Sequence, residues 1–122
     1  MYELFVEHHF SSAHRLNEYA GECSKLHGHN WLVKVYVRSE KLNEIGISID
    51  FKVFKTTIRE EIDKLDHVYL NDLPDFQNMN PTAENICRVL FEKISARINA
   101  EHLWVHMVEV WESATHGARY FK

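Results

Sequence analysis

Apolar and polar residues alternate over several stretches of the chain. This pattern predicts β-strands, because successive strand side chains point to opposite faces of a sheet. Residues 2–16 are rich in aromatic and aliphatic side chains with partial alternation and predict one long strand, and WLVKVYVR at 31–38 predicts a second. Two more are predicted over 103–112 and, after a Thr115-His116-Gly117 turn, over 118–122.

Two helices are predicted between the second and third strands. Asp50 is suited to cap the first, whose apolar face repeats at steps of three and four: Phe51, Phe54, Ile58, Ile62 and Leu65. Before it, Ile47, Ile49 and Phe51 are expected to continue an extended segment. At the second helix, Pro81 suits the first helical position and Asn80 or Thr82 the cap. Its apolar stripe is Ile86, Leu90, Ile94 and Ile98.

The predicted order is therefore β-β-α-α-β-β in one domain over residues 1–122. We expect an α+β fold in which both helices cover one face of an antiparallel sheet. A sheet of this size leaves exposed edge strands, which a second chain can pair. An oligomer is therefore expected.

Composition and charge argue against several classes of function but do not identify one. The formal charge of −4 argues against a nucleic-acid or anionic-membrane partner. No apolar run approaches the roughly 20 residues that span a bilayer, and the start MYELFVEHHF is not typical of a signal peptide. With two cysteines, Cys23 and Cys87, a disulfide framework is not expected and the predicted compartment is the cytoplasm. The count of 9 histidines indicates metal or acid–base chemistry.

Three of the histidines predict a metal site. His27 and His29 flank Gly28 in GECSKLHGHN, so in an extended segment both imidazoles leave the same face. His14 lies near the end of the preceding strand, which is expected to pair antiparallel with the strand after His29. Three imidazoles with an open fourth position are typical of catalytic Zn²⁺. The alternative is a strand histidine beside an ordinary turn.

Cys23, four residues before His27, allows two interpretations. It completes a closed Cys-His₃ site, which would be structural, or it stands outside the coordination shell as a thiolate stabilised by the nearby cation and imidazoles. Spacing does not separate the two.

Two further candidate sites contain acidic residues. Asp66 and His67 in KLDHVYLND form a possible proton relay, or a surface pair at a helix end. Glu112 ends a strand in which strict alternation places Trp104, His106, Val108 and Val110 on the same face. It is either an acid in a pocket that binds a guanidine-like edge or a frayed strand end. His8, His9, His102, His106 and His116 are interpreted as strand or surface residues.

Taken in order along the whole chain, five motifs resemble the 6-pyruvoyltetrahydropterin synthase family. They are FSSAHRL, C-x₃-HGH, LDHVYLND, NPTAEN and VWES. The short spacing between the cysteine and HGH resembles the bacterial branch, which makes 6-carboxytetrahydropterin in queuosine biosynthesis. The animal enzymes have two more residues there.

The resemblance implies a tunnelling fold whose sheets close into a barrel, as a hexamer of two trimers with pockets between subunits. It implies Zn²⁺ on His14, His27 and His29, and Cys23 as catalytic base. Asp66 and His67 would be the proton relay, Glu112 the anchor for the pterin edge, and Thr82 and Glu84 further substrate contacts. Arg15, Lys25 and Lys52 are candidates for the triphosphate.

The implied reaction converts 7,8-dihydroneopterin triphosphate into 6-carboxy-5,6,7,8-tetrahydropterin, with release of acetaldehyde and triphosphate. One alternative is a pyruvoyltetrahydropterin synthase, which eliminates triphosphate without breaking the side-chain carbon–carbon bond. The other is a non-catalytic, zinc-stabilised binding module.

Overall fold

The strands and helices follow the predicted order in the computed structural model, which describes residues 1–122 apart from the side chain of Glu22. The bounds are β1 Tyr2–His14, β2 His27–Ser39, α1 Phe51–Asp63, α2 Ala83–Ile98, β3 Leu103–Trp111 and β4 Gly117–Phe121. The strands form one antiparallel sheet in the order β1-β2-β3-β4. Short 3₁₀ turns lie at Glu22–Ser24, Leu70–Asp72 and Pro74–Phe76.

The pairing of β1 with β2 determines which residues of these two strands lie opposite each other. It runs from Tyr2 opposite Ser39 to His14 opposite His27 without a shift. The second strand was predicted to begin at Trp31 but begins at His27, because β1 supplies backbone partners for the polar residues before the apolar run.

A β-bulge interrupts the pairing of β2 with β3. Tyr36 pairs with Met107 and Val37 with Val105, so His106 is an extra residue on β3. Strict alternation was therefore wrong about which residues share a face with Glu112. The β3 valines buried in the core are Val105, Val108 and Val110, and the bulge takes His106 out of that series.

Both helices cover one face of the sheet. α1 packs against β1, α2 packs against β3 and β4, and the helices contact each other. The predicted apolar stripe of α2 is buried throughout, and in α1 Phe54, Ile58 and Ile62 are completely buried. Phe51, in contrast, is exposed, because its side chain leaves the first turn on the solvent side.

The helix starts explain two wrong predictions. Asp50 caps α1 by accepting a hydrogen bond from the Lys52 backbone N–H (2.7 Å), so Phe51 is helical and not extended. Thr82 caps α2 by accepting from the Asn85 N–H (3.1 Å), which leaves Pro81 one residue outside the helix. The Pro81 carbonyl is thereby available to another partner.

A buried carboxylate joins the two helices. Glu61 on α1 is 6% exposed and accepts hydrogen bonds from Lys64 (2.9 Å) and from Arg97 on α2 (3.3 Å). Burial alone would raise the pKa of Glu61, but the bonds and charges of Lys64 and Arg97 outweigh it and lower this pKa. Glu61 therefore stabilises the fold only while it is ionised.

Glu61→Gln is expected to lower the free energy of unfolding at pH 7 by about 1–2 kcal/mol, because the charge-assisted bonds are lost. Since the folded pKa is lowered, this stabilisation is complete above the ordinary glutamate value near 4.3 and disappears as the pH falls through the folded value. Urea titrations at pH 7 and pH 3 should show the variant's deficit shrinking. Glu60→Gln, which removes an exposed partner of Arg97, is the control and should cost less than about 0.5 kcal/mol. An equal deficit at both pH values would contradict the prediction.

Candidate metal centre and active site

Three histidines converge at one end of the sheet, on the side that faces the helices. His14 ends β1 directly opposite His27, and His29 follows two residues later on the same face of β2. The Nε2 atoms of His14 and His27 are 3.0 Å apart, and the His29 ring centroid is 5.1 Å from that of His14 and 4.8 Å from that of His27. The sequence prediction that they meet is confirmed.

Backbone carbonyls orient two of the rings. The Nδ1 of His14 donates to the Pro81 carbonyl (2.8 Å), and the Nδ1 of His27 donates to the Lys25 carbonyl (2.7 Å). A ring with its proton on Nδ1 has a lone pair on Nε2. The lone pairs of the two Nε2 atoms therefore face each other across 3.0 Å. A cation bound between the two atoms would stabilise this arrangement.

The His29 Nε2 atom is buried without a hydrogen-bond partner. It lies 2.9 Å from Oε1 of Glu112, but the two atoms are not aligned for a hydrogen bond. Burial lowers the pKa of both His14 and His29, which favours the neutral rings that bind metals. The donor set thus fits a divalent metal such as zinc.

The Glu112 carboxylate lies beside the three histidines. Its Oε1 is also 3.3 Å from the His14 Nε2, and one ligand atom from each of the four side chains lies within 4.8 Å of the others. Glu112 directly follows β3, so the sheet carries it to this end. The sequence analysis left Glu112 as either an acid in a pocket or a frayed strand end, and did not place it beside the histidines.

Trp31 packs beneath the cluster. It is completely buried, its ring centroid is 5.0 Å from that of His14 and 5.1 Å from that of His29, and its indole N–H donates to the Ser12 carbonyl (3.3 Å). Phe10 stacks on its other side at 5.6 Å. Trp31 is therefore a core residue whose ring packs against two of the histidine rings.

Cys23 lies in a 3₁₀ turn beside the cluster and is half-buried with a free thiol. It lines a cavity of about 470 Å³ together with Lys25, Leu26, His27, His29, Glu112 and His116. Among the residues that the structure describes, the ligand-distance group is completed by Glu112 and does not contain Cys23. This geometry favours a thiol facing a cavity over a closed Cys-His₃ site.

A larger cavity of about 770 Å³ opens on the other side of Glu112. Its lining consists of His9, Gly28, His29, Asn30, Leu32, Lys34, Trp111, Glu112, Ser113 and Ala114. His29 and Glu112 border both cavities. The volume is in the range of small-molecule sites, so the carboxylate stands where a bound molecule would meet the metal centre.

The Asp66–His67 pair is fixed to the outer edge of β1. Asp66 Oδ2 is 2.9 Å from His67 Nδ1, and its Oδ1 accepts from the Ser11 N–H at 2.8 Å. The Ser11 bond, with the His67 contact, lowers the pKa of Asp66. His67 adopts a left-handed backbone (φ 54°), and its N–H donates to the Ser11 carbonyl. Within the described chain neither residue lines the two cavities above, and the His67 side chain is 80% exposed.

The start of α2 adjoins the centre through Pro81, whose carbonyl holds His14. Thr82 uses its hydroxyl as the helix cap, and Glu84 is exposed on the first turn. Both lie within three residues of Pro81 in the sequence, and neither is in the ligand group or in the lining of either cavity, over the residues described.

The sequence profile of a family described as 6-pyruvoyl tetrahydropterin synthase matches residues 3–122. This chain belongs to that family. It is 37% identical to a 6-carboxy-5,6,7,8-tetrahydropterin synthase of Synechocystis, over 99% of this chain and 94% of the relative. It is 31% identical to an enzyme of the same name from Bacillus subtilis, over 80% of this chain and 68% of that one.

A solved structure shows the fold of this family. The 6-pyruvoyl tetrahydropterin synthase of Caenorhabditis elegans aligns with a TM-score of 0.88 and 25% identity, over 99% of this chain and 95% of that one. The chain therefore has the tunnelling fold that the motifs predicted. Among the described residues, no helix is both long and apolar enough to cross a membrane.

One residue of this family member was missed by the sequence analysis. His116, interpreted as a surface residue, lies with its Nε2 3.4 Å from Glu112 Oε2 and lines the Cys23 cavity. The available signal was its position just after the predicted strand end, where a tight turn returns the chain to Glu112.

Proposed function

We propose that this protein converts 7,8-dihydroneopterin triphosphate and one water into 6-carboxy-5,6,7,8-tetrahydropterin, acetaldehyde and triphosphate, as a step of queuosine (7-deazaguanine) biosynthesis. The observation that carries the proposal is the convergence of three imidazole Nε2 atoms beside a cavity lined by a free thiol. The names of the Synechocystis and Bacillus relatives support the carboxy product.

In this proposal His14, His27 and His29 hold Zn²⁺. Zinc bound there would supply Lewis-acid polarisation of the substrate's side-chain hydroxyl groups. Cys23 removes a proton from the substrate side chain within the cavity it shares with His27 and His29. The carbonyls of Pro81 and Lys25 keep the lone pairs of His14 and His27 turned inward.

Glu112 orients the substrate. A carboxylate accepts both hydrogens of a planar N–C–NH₂ edge, and Glu112 borders the larger cavity as well as the metal centre. A pterin held by that edge has its side chain directed toward Cys23 and the histidines. We assign Thr82 to a pterin contact and Glu84 to its support.

The Asp66–His67 relay is proposed to act across a subunit boundary. The His67 side chain is exposed at the outer edge of the sheet, beside β1, while the two cavities described above are lined by other residues of the described structure. In a hexamer of two trimers whose sheets pair edge to edge, this pair would meet the site of a neighbouring chain. His67 would then transfer the second proton, with Asp66 orienting its ring.

Two other functions are weighed against this one. One is a pyruvoyltetrahydropterin synthase, with triphosphate elimination and an intact side chain, and the name of the Caenorhabditis elegans enzyme is what supports it. A non-catalytic zinc-stabilised module is the alternative of a different class, and it requires Cys23 to be a fourth ligand.

Product analysis tests the proposal. Purified protein loaded with zinc and given 7,8-dihydroneopterin triphosphate is expected to release acetaldehyde and triphosphate in equal amounts, because the carboxy reaction breaks one carbon–carbon bond per turnover. Enzymatic acetaldehyde determination and phosphate chromatography on the same samples measure both. Triphosphate without acetaldehyde would identify the pyruvoyl reaction, and release of neither would remove the enzyme proposal.

A further inference from the structure

The turn between β3 and β4 folds His116 back onto Glu112. The His116 carbonyl accepts hydrogen bonds from the backbone N–H groups of Glu112 (3.2 Å) and Ser113 (3.5 Å). Gly117 follows at once, and a Cβ there would clash with the Val110 carbonyl oxygen, so the hairpin closes this tightly only with glycine. Backbone geometry therefore places the His116 ring beside the Glu112 carboxylate.

Hydroxyl groups of the same turn surround the Nδ1 atom of His116. Ser113 Oγ, which accepts from the Thr115 N–H (3.2 Å), lies 2.9 Å from this Nδ1, and Thr115 Oγ1 lies 3.4 Å from it. An ionised carboxylate only accepts, so the tautomer that can donate to Glu112 is the one with its proton on Nε2. The Nε2 atom lies 3.4 Å from Glu112 Oε2, within ion-pair distance.

The two oxygens of Glu112 thus have different neighbours. Oε1 lies 2.9 Å from His29 and 3.3 Å from His14, inside the metal centre. Oε2 lies toward His116, on the side of the Cys23 cavity that both residues line. His116 thus contacts Oε2, while the two metal-facing histidines contact Oε1.

We propose that His116 is a positioning residue for substrate binding, which acts by holding the Glu112 carboxylate in the orientation that receives the pterin edge. The assignment rests on the proposed function of Glu112 as pterin anchor. Without the Nε2–H donor, Glu112 is free to turn wholly toward the histidines, and fewer molecules present the carboxylate to the substrate. Binding weakens, while the bound substrate still meets Cys23 in the same geometry.

Two substitutions separate this role from a structural one. His116→Ala removes the donor, and His116→Gln retains an N–H donor near the position of Nε2. His102→Ala is the matched control, because His102 is another partly exposed histidine paired with a carboxylate, Glu40 at 3.3 Å. His102 precedes β3, at the opposite end of that strand from Glu112.

The experiment measures kcat, KM and thermal midpoint of these variants with 7,8-dihydroneopterin triphosphate. His116→Ala is expected to raise KM about 10-fold with kcat within about 3-fold of wild type, and His116→Gln to recover most of the loss. His102→Ala should match wild type. An unchanged KM in His116→Ala, an equal loss in His116→Gln, or a loss that follows a lowered thermal midpoint would overturn the proposal.

The same substitution in a Cys23→Ala background distinguishes this inference from the proposed function. Binding of the pterin triphosphate, followed by its fluorescence, needs no turnover and is expected to weaken about 10-fold on adding His116→Ala. If the wild-type protein makes no product but His116→Ala still weakens binding in the Cys23→Ala background, the proposed reaction is wrong and the role of His116 is supported. If wild type is active and the binding is unchanged, the role of His116 fails alone.

Discussion

Replacing His27 by alanine is expected to remove most of the bound metal. Loss of an outer-shell partner of a metal ligand typically lowers affinity 10–100-fold, and loss of the ligand itself should exceed about 100-fold. The geometry gives the reason: His27 faces His14 across the strand pair, so its removal leaves one imidazole of β1 and one of β2. Metal content after dialysis, with a competing zinc chelator, measures the effect.

His9→Ala is the control for this experiment. His9 is exposed and lies on the opposite face of β1 from His14, because the two positions differ by five, an odd number, along one strand. It should retain the wild-type metal content. A His27→Ala protein that also retained it would remove the three-histidine assignment, and with it the proposed chemistry.

Replacing Cys23 by alanine is expected to abolish product formation while the metal stays bound. A positioned acid–base group contributes about 10²–10⁴-fold to a rate, so the turnover number should fall by that factor. The metal should remain because the ligand-distance group, over the described residues, contains Glu112 and not the thiol. Turnover, zinc content and the thermal midpoint are measured on the same preparation.

Cys87→Ala is the matched cysteine control. Cys87 is completely buried in α2, and burial raises the pKa of its thiol to about 12, so it is not a thiolate near neutral pH. Its replacement should leave turnover unchanged at a cost of about 1 kcal/mol in stability. A Cys23→Ala protein that lost zinc and unfolded would return Cys23 to the ligand set and support the zinc-stabilised module.

The sequence predicts the parts of the fold and site that depend on local periodicity. Three features follow from the spacing of residues along the sequence alone. They are the alternation in WLVKVYVR, the three- and four-residue steps of α2, and the two histidines on one face of an extended segment. His14 lies beside these two histidines because antiparallel pairing of consecutive strands brings the end of β1 next to the start of β2.

The remaining features depend on contacts between distant segments. The first residues of β2 are polar, and only pairing with β1 makes them a strand. The bulge at His106 has no local signal, since it arises where two valines must both face the core. Asp66 is held by the Ser11 backbone, and His116 meets Glu112 only because Gly117 permits a closed hairpin.

The ladder between β1 and β2 has a consequence for folding accuracy. A slip of one residue would turn every buried side chain to the wrong face, so the apolar pattern itself opposes it. A slip of two residues keeps the apolar faces matched and would place Ser12, in place of His14, opposite His27. A metal bound by the three histidines, as proposed, would favour the native register over this slip where hydrophobic burial does not, because only the native pairing brings the ligands together.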